Sequence, residues 1–432
     1  MVKDILKEIF FSAIKAVLPY DTVGNHCSNI LSAYIDGKFN NFIVAGFGKA
    51  ACPMAKAIED FLMEFITNGI VITKYSHCSR YKLEKLQLFE AGHPIPDENG
   101  VKGTIEILNI LRGNDANTLV VFLISGGGSA LLTAPCKGIL LHEKQYLTEL
   151  LLHAGADIQE LNTVRKHVSM VKGGRLAEIA YPAKMISLIL SDVIGDKLDV
   201  IASGPTSPDQ TTYNDALNVL RKYDLIERVP RMILDILQKG NEGLLSETPK
   251  QTNRVFERVE NIIIGSNKIA LEAARDKAKA LGFDVLLFSS EITGEAREAG
   301  RLLAKKALEI RKSSLSNEKK CLISGGETTV TIKGCGSGGR NMELALSFAQ
   351  EIEGIEGIML LSAGTDGTDG PTDAAGAIVN GHTISKARAD GLDPDDYLKN
   401  NDSYTFFKRI DELFITGPTY TNVMDIQIIL IE

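Results

Sequence analysis

No dense run of lysine or arginine occurs in this sequence, and 47 basic residues stand against 55 acidic ones, for a formal net charge of −8. Nucleic-acid binding rests on neutralising phosphates with a basic patch, so a nucleic acid is not the expected partner. A small anion needs only a locally positive pocket and is not excluded. No apolar run approaches the ~18 residues of a membrane span. The N-terminal stretch MVKDILKEIFFSAIKAVLPY alternates charged and apolar groups at helical spacing, unlike the uninterrupted apolar region of a signal peptide. No membrane partner is expected, and the cytoplasm is the expected compartment. The six cysteines (Cys27, Cys52, Cys78, Cys136, Cys321, Cys335) form no CxxC pair, and no histidine lies at zinc-finger spacing from them. Most read as buried small hydrophobes in a reducing compartment. None of the seven histidines pairs with another at metal-ligand spacing, which argues against a histidine metal site.

What the chain does have is an ordinary globular balance, 44% apolar and 24% charged residues. Its 432 residues exceed one core of ~250–300 residues, so two or three domains are expected. Short apolar runs at 42–45, 69–73, 118–124, 185–190, 261–264, 284–288, 320–324 and 357–362 read as strands. Helix-period stretches at about 50–65, 266–281, 295–311 and 340–352 lie between them. Such alternation predicts an α/β fold with mainly parallel sheets covered on both faces. The polar segment 239–258 reads as the domain boundary and 312–319 as a surface loop. FLISGGGSALL (122–132) echoes CLISGGETTV (321–330), and 42–58 echoes 262–278. Two related α/β domains and shared punctuation of unrelated units both account for this.

Several strands run into glycine-rich loops. GFGKAA (46–51) fits G-x-G-x-x-A between a strand and a helix, where Gly46 and Gly48 would let the backbone approach a phosphate. A dinucleotide site also wants an acidic residue near the end of the second strand, which here ends in Lys74, Tyr75 and Ser76. Lys49 instead places an ammonium beside whatever anion the loop holds. SGGGSA (125–130) supplies Ser125, Gly126, Gly127, Gly128 and Ser129 as a candidate cradle of backbone amides. It is neither a Walker A loop nor a nucleophile elbow. In the second half Gly325, Gly326 and Glu327 form a further turn. Gly338 and Gly339 precede Arg340, whose fork suits a carboxylate or phosphate. Asp366, Asp369 and Asp373 lack EF-hand spacing, so Mg²⁺ through water, hydroxyl binding and turn closure all remain readings. Asp192 and Asp196 stand at another strand end. The most basic stretch, 161–178, holds Arg165, Lys166, His167, Lys172 and Arg175, and reads either as an anion site or as a solvated helix face.

The blocks GFGKAA (46–51), AGHPIPDENG (91–100), SGGGSALL (125–132), LNTVRKHVSMVKGGRLA (161–177), LSDVIGD (190–196), SGPTSPD (203–209), GGRNMELAL (338–346), GTDGTDGPTDAAGA (364–377) and TGPTYTNVMD (416–425) follow in that order along nearly the whole chain. Together they resemble the MOFRL-type glycerate kinases. The resemblance implies two Rossmann-like α/β/α domains, 1–250 and a C-terminal MOFRL domain 251–432, with an active-site cleft between them. It implies transfer of phosphate from ATP to D-glycerate, usually giving 2-phosphoglycerate, with Lys49 and Arg340 as the catalytic pair. Tyr420 stands where a glycine is more usual, and the tail ends early at Glu432.

On this expectation ATP phosphates lie over the glycine loops, including Asp369 among the binding residues, and Mg²⁺ is held by Asp192 or Asp366. Arg165 or Lys166 holds the glycerate carboxylate, and Asp192 is the candidate base. An NAD(P)H-dependent hydroxypyruvate reductase and a non-catalytic nucleotide-binding module are the alternatives. A homodimer is left open.

Overall fold

The computed structural model describes residues 2–313 and 318–432. The chain divides into two compact units, here called the N-unit (Pro19–Ser191 and Asp196–Ile264) and the C-unit (Met1–Leu18, Asp192–Gly195 and Gly265–Glu432).

Six strands make the N-unit sheet: β1 (Asn41–Phe47), β2 (Asn68–Lys74), β3 (Gln87–Ala91), β4 (Thr118–Ile124), β5 (Lys184–Leu190) and β6 (Val259–Gly265). Their order is β3-β2-β1-β4-β5-β6, and the pairs β3/β2, β2/β1, β1/β4 and β4/β5 are parallel. All seven positions of β4 are buried, which explains why the run TLVVFLI is apolar without alternation. The chain moves outward from β1 to β2 and β3, then returns to place β4 on the other flank of β1. Strand order therefore reverses between β1 and β4. A crevice opens at the carboxyl ends of the strands at such a switch point, where ligands of open α/β sheets bind. Phe47 at the end of β1 sits level with Ile124 at the end of β4, so the GFGKAA and SGGGSA loops emerge side by side.

The C-unit sheet comprises β7 (Asp284–Ile292), β8 (Lys320–Gly326), β9 (Ile358–Gly364), β10 (Gly376–Asn380), β11 (Leu413–Phe414) and β12 (Asp425–Ile431), in the order β11-β10-β9-β12-β8-β7. Only β7/β8 pairs in parallel here; β12 runs antiparallel to both β8 and β9, and β10 to both β9 and β11. The expectation of mainly parallel sheets thus holds for the N-unit and is corrected for the C-unit. Two causes account for the difference. The connection from β9 to β10 holds no helix, and a parallel crossover needs a dozen or more residues. The last strand, β12, is buried at all seven positions and enters between β8 and β9 from the opposite direction.

The expected helices are present as Ala51–Leu62, Asn267–Ala280, Ala296–Ser313 and Arg340–Glu351. Lys312 and Ser313 of the expected loop end a helix, and 314–317 lie outside the described residues. The division between the units differs from the expected 250/251. It falls after Ile264 because β6 extends the N-unit sheet beside β5. The helix Val2–Ala16 belongs to the C-unit, where it buries Leu6, Ile9, Phe10 and Ala13 and sets Phe10 edge-on against Phe414 at 5.2 Å. Cys27 and Cys321 are buried thiols, as expected, whereas Cys52 and Cys78 are joined as a disulfide with a Cα–Cα separation of 5.5 Å. Among the described residues no helix is long and apolar enough to cross a membrane.

Candidate active site

In the N-unit the two glycine loops grip each other. The Lys49 amide donates to the Gly126 carbonyl (2.8 Å), and the Ala50 amide donates to Ser125 Oγ (3.0 Å). Gly48 takes φ of +129°, and a Cβ there would lie 2.6 Å from the Ser125 carbonyl oxygen. Gly48→Ala is accordingly expected to destabilise the fold by about 1–3 kcal/mol through backbone strain and the clash, read as a lowered urea midpoint. Gly46 is a buried β1 residue whose space is bounded by Val71 and Leu123, so it serves the sheet and not a ligand. The amides at the start of GFGKAA that were expected to cradle an anion are therefore already used.

Free donors lie on the other loop. The amides of Gly126, Gly127 and Ser129 have no acceptor among the described residues, while Gly128 donates to Ser125 and packs against Ala202. Beside them the Lys49 ammonium makes no hydrogen bond or ion pair among the described residues. Its side chain reaches over Gly127, whose Cβ would meet Lys49 Cγ at 3.1 Å and His93 Nε2 at 3.0 Å. Lys74 at the end of β2 and His77 complete a basic cluster, with His77 Nδ1 3.3 Å from the Lys49 carbonyl. Burial, then the charges of Lys49, Lys74 and His77, push the His93 imidazole down to about 4, so it is neutral at physiological pH. An unpartnered lysine side chain against a loop with unpaired amides is an anion-binding arrangement.

Behind this loop three basic side chains face neutral oxygens rather than carboxylates. Lys172 Nζ donates to the Ser129 carbonyl (2.7 Å), and Arg165 Nη2 donates to the same oxygen (3.3 Å). Lys144 Nζ donates to Thr133 Oγ1. The Arg165 Nε is buried and lacks a partner, which leaves it a donor for an incoming oxygen. Burial pushes Arg165 down to about 10 and, helped by the Arg165 charge, Lys144 down to about 7. The native state thus binds fewer protons than the unfolded chain between about pH 7 and the ordinary lysine range, and stability rises with pH across that window. Relative to Lys144→Met, the wild type is expected to gain thermal stability between about pH 7 and about pH 9, checked by paired melting curves. Lys166, expected to share the carboxylate-binding task, is instead buried against Asp209 (3.2 Å) and Asp199 (3.4 Å). Its charge is already matched, and Arg165 is the candidate that remains.

In the C-unit Arg340 opens its helix but is not free. Nε and Nη2 bind the two oxygens of buried Asp425 at 2.6 and 3.0 Å, and Nη1 binds Glu327 at 2.7 Å. Burial alone would weaken the guanidinium as a base, yet Asp425 and Glu327 outweigh it and raise its pKa. Glu327, expected among the ligand-binding residues, is thus a partner of Arg340. Asp369 is also corrected. Its carboxylate accepts from the amides of Asn341 (3.0 Å) and Met342 (2.8 Å) and caps the Arg340–Glu351 helix. Burial pushes that carboxyl up to about 7. Gly339 leaves room for this cap, since a Cβ there would lie 2.5 Å from the Asp369 carbonyl carbon. Gly338 makes room for Ser403, Gly325 for Asn267 and Gly326 for the Ile292 backbone.

Asp366 remains half-buried, one oxygen held by the Thr368 amide (3.0 Å) and hydroxyl (3.1 Å), the other without a partner among the described residues. That donor fits Mg²⁺ bound through water. Asp192, half-buried just beyond β5, belongs to the C-unit segment 192–195. Among the described residues no group of three or more His, Cys, Asp or Glu is placed to hold a metal. Two residues to which the sequence assigned no role stand out, His93 and Asp425; both lie inside motif blocks, AGHPIPDENG and TGPTYTNVMD.

Residues 5–238 match a family described as Domain of unknown function (DUF4147), and residues 320–425 match the MOFRL family. The chain is 46% identical over 430 residues to the D-glycerate 2-kinase of Thermotoga maritima, covering 99% of this chain and 98% of that protein. It is 40% identical over 432 residues to a putative hydroxypyruvate reductase of Agrobacterium vitis, covering 99% and 94% respectively. A crystal structure of glycerate kinase from Thermotoga maritima matches the fold with a TM-score of 0.91 at 45% identity, over 100% of this chain and 99% of that one.

Proposed function

The chain belongs to the MOFRL-type glycerate kinase family, and on that premise we propose that it transfers the γ-phosphoryl group of ATP to D-glycerate, giving 2-phosphoglycerate. The observation that carries the reading is the unpartnered Lys49 side chain, which runs against Gly127 in the loop where the Gly126, Gly127 and Ser129 amides have no acceptor among the described residues. A transferring phosphoryl group needs positioning and neutralisation more than covalent chemistry. Those amides hold phosphate oxygens, and Lys49 stabilises charge on the moving group. Arg165, with its unpartnered Nε, takes the glycerate carboxylate. Arg340 is the second candidate cation of the reaction, held in the C-unit by Asp425 and Glu327. Asp366, with Asp192, would hold Mg²⁺, which when bound neutralises phosphate charge.

An NADH-dependent reductase would need a carboxylate at the end of β2 for the adenine ribose, and β2 ends at Lys74, which suits only the 2′-phosphate of NADPH. It would also need the leading GFGKAA amides, which the SGGGSA loop already occupies. We place the enzyme in the cytoplasm.

The test is one reaction, with glycerate, ATP and Mg²⁺ and the product identified by phosphorus NMR. Formation of 2-phosphoglycerate is expected. Oxidation of NAD(P)H by hydroxypyruvate without ADP release from glycerate would support the reductase instead, and tight ATP binding without turnover would support a nucleotide-binding module.

A further inference from the structure

The position of His93 points to a role in the same reaction. The residue follows β3 in the segment that crosses the carboxyl ends of the N-unit strands, and its ring lies against the face of Gly127. Nε2 would be 3.0 Å from a Cβ on that glycine, and Lys49 Cγ would be 3.1 Å from the same point. The imidazole and the Lys49 side chain therefore flank one loop, the loop whose amides are unpaired. Neither ring nitrogen has a hydrogen-bond partner among the described residues. A half-buried imidazole without a partner is an unused acceptor beside an anion site.

We propose that His93 accepts the proton of the glycerate hydroxyl as that oxygen attacks the γ-phosphorus. This rests on the kinase reading above and replaces Asp192 as the base. The step balances as follows. The glycerate O–H bond breaks and its proton passes to a ring nitrogen of His93. The freed oxygen forms a bond to the γ-phosphorus, the bond from that phosphorus to the β,γ-bridging oxygen breaks, and ADP leaves. The imidazolium then returns its proton to water.

The electrostatics suit the task. The charged and titratable groups facing the ring are Lys49 from the loop after β1, Lys74 from the end of β2, and His77 from the turn that follows. The nearby carboxylates are engaged elsewhere, Glu90 by the Ser76 amide (2.8 Å) and Asp97 by the Tyr75 hydroxyl (2.6 Å) and the Gly100 amide (2.9 Å). With cations around it and no carboxylate on it, the ring is held neutral before substrate enters. The γ-phosphate and the glycerate carboxylate then offset those cations and make the ring a stronger base when it is needed.

The experiment uses the full-length protein. Initial rates of glycerate phosphorylation are compared for wild type, His93→Ala and His93→Gln from about pH 5 to pH 9, with and without added imidazole, with folding followed by thermal melts. His93→Ala is expected to lower kcat by about 10²-fold with little change in KM for ATP. Added imidazole should restore part of that rate, in proportion to its neutral fraction, and should do nothing for wild type or His93→Gln. A folded His93→Ala enzyme with near-normal kcat would overturn the proposal. So would a loss confined to KM for glycerate with no response to imidazole, which marks a binding residue. A wild-type chain that does not phosphorylate glycerate defeats the kinase reading itself, and that result is distinct because it needs no variant.

Discussion

Lys49→Ala is expected to lower kcat by roughly 10²–10³-fold or more while leaving the protein folded. The expectation of a folded variant comes from the surroundings. The Lys49 backbone is anchored through its amide to Gly126, but its ammonium has no partner among the described residues, so truncation breaks no ion pair. The rate effect comes from the side chain's place against Gly127, in the loop with three unsatisfied amides. On the proposed reading those amides hold ATP without Lys49, so KM for the nucleotide should move much less than kcat, the signature of an interaction that matters most in the transition state. Steady-state kinetics beside an unfolding curve checks this. A folded variant with near-normal kcat would remove Lys49 from the chemistry.

Asp425→Ala is expected to act on stability and rate together. Asp425 is buried and holds the Arg340 guanidinium by two bonds, leaving Glu327 as the other acidic partner. Removing one member of a fully buried pair costs about 3–5 kcal/mol; Arg340 is a third exposed and keeps Glu327, so the loss here is expected below that range. Arg340 is then free to rotate toward Glu327, and a cation that must be placed within a fraction of an ångström is no longer fixed. On the proposed reading Asp425 acts as a positioning residue. The discriminating measurement is kcat at a temperature where the variant is still fully folded by circular dichroism. A merely structural role would leave kcat normal there, and a positioning role predicts a fall of about 10-fold or more.

Much of the N-unit can be read from the sequence for a simple reason. Strands covered on both faces, such as TLVVFLI, are written as unbroken apolar runs, and β1 and β4 end where a glycine loop begins. The C-unit sheet is less legible. The run in Asp425–Ile431 is as apolar as any other strand, but no helix follows it, and nothing local says that it enters antiparallel between β8 and β9. The same limit applies to side chains. Lys49 stands out because a cation in a strand–helix turn needs an anion to explain it. Lys166 stands out equally in sequence, yet Asp209 answers its charge from 43 residues away. Asp366 and Asp369 look alike in GTDGTDG, and only the approach of the Arg340–Glu351 helix makes one of them a cap. The pairing of Arg340 with Asp425 spans 85 residues and leaves no local trace.

The C-unit takes its first helix from the start of the chain and an interior strand from the last residues, with β12 lying between β8 and β9. On the ribosome, every strand of the N-unit is translated before the first strand of the other sheet. Helix Val2–Ala16, made before the N-unit, has to wait for helix Asn267–Ala280 and strand β12. The second sheet therefore closes only once β12 is made, and the nascent chain carries an unmatched apolar helix while the whole N-unit is synthesised. Loss of β12 would leave a gap inside that sheet rather than a frayed edge, and chains lacking it should accumulate as chaperone-bound or degraded species.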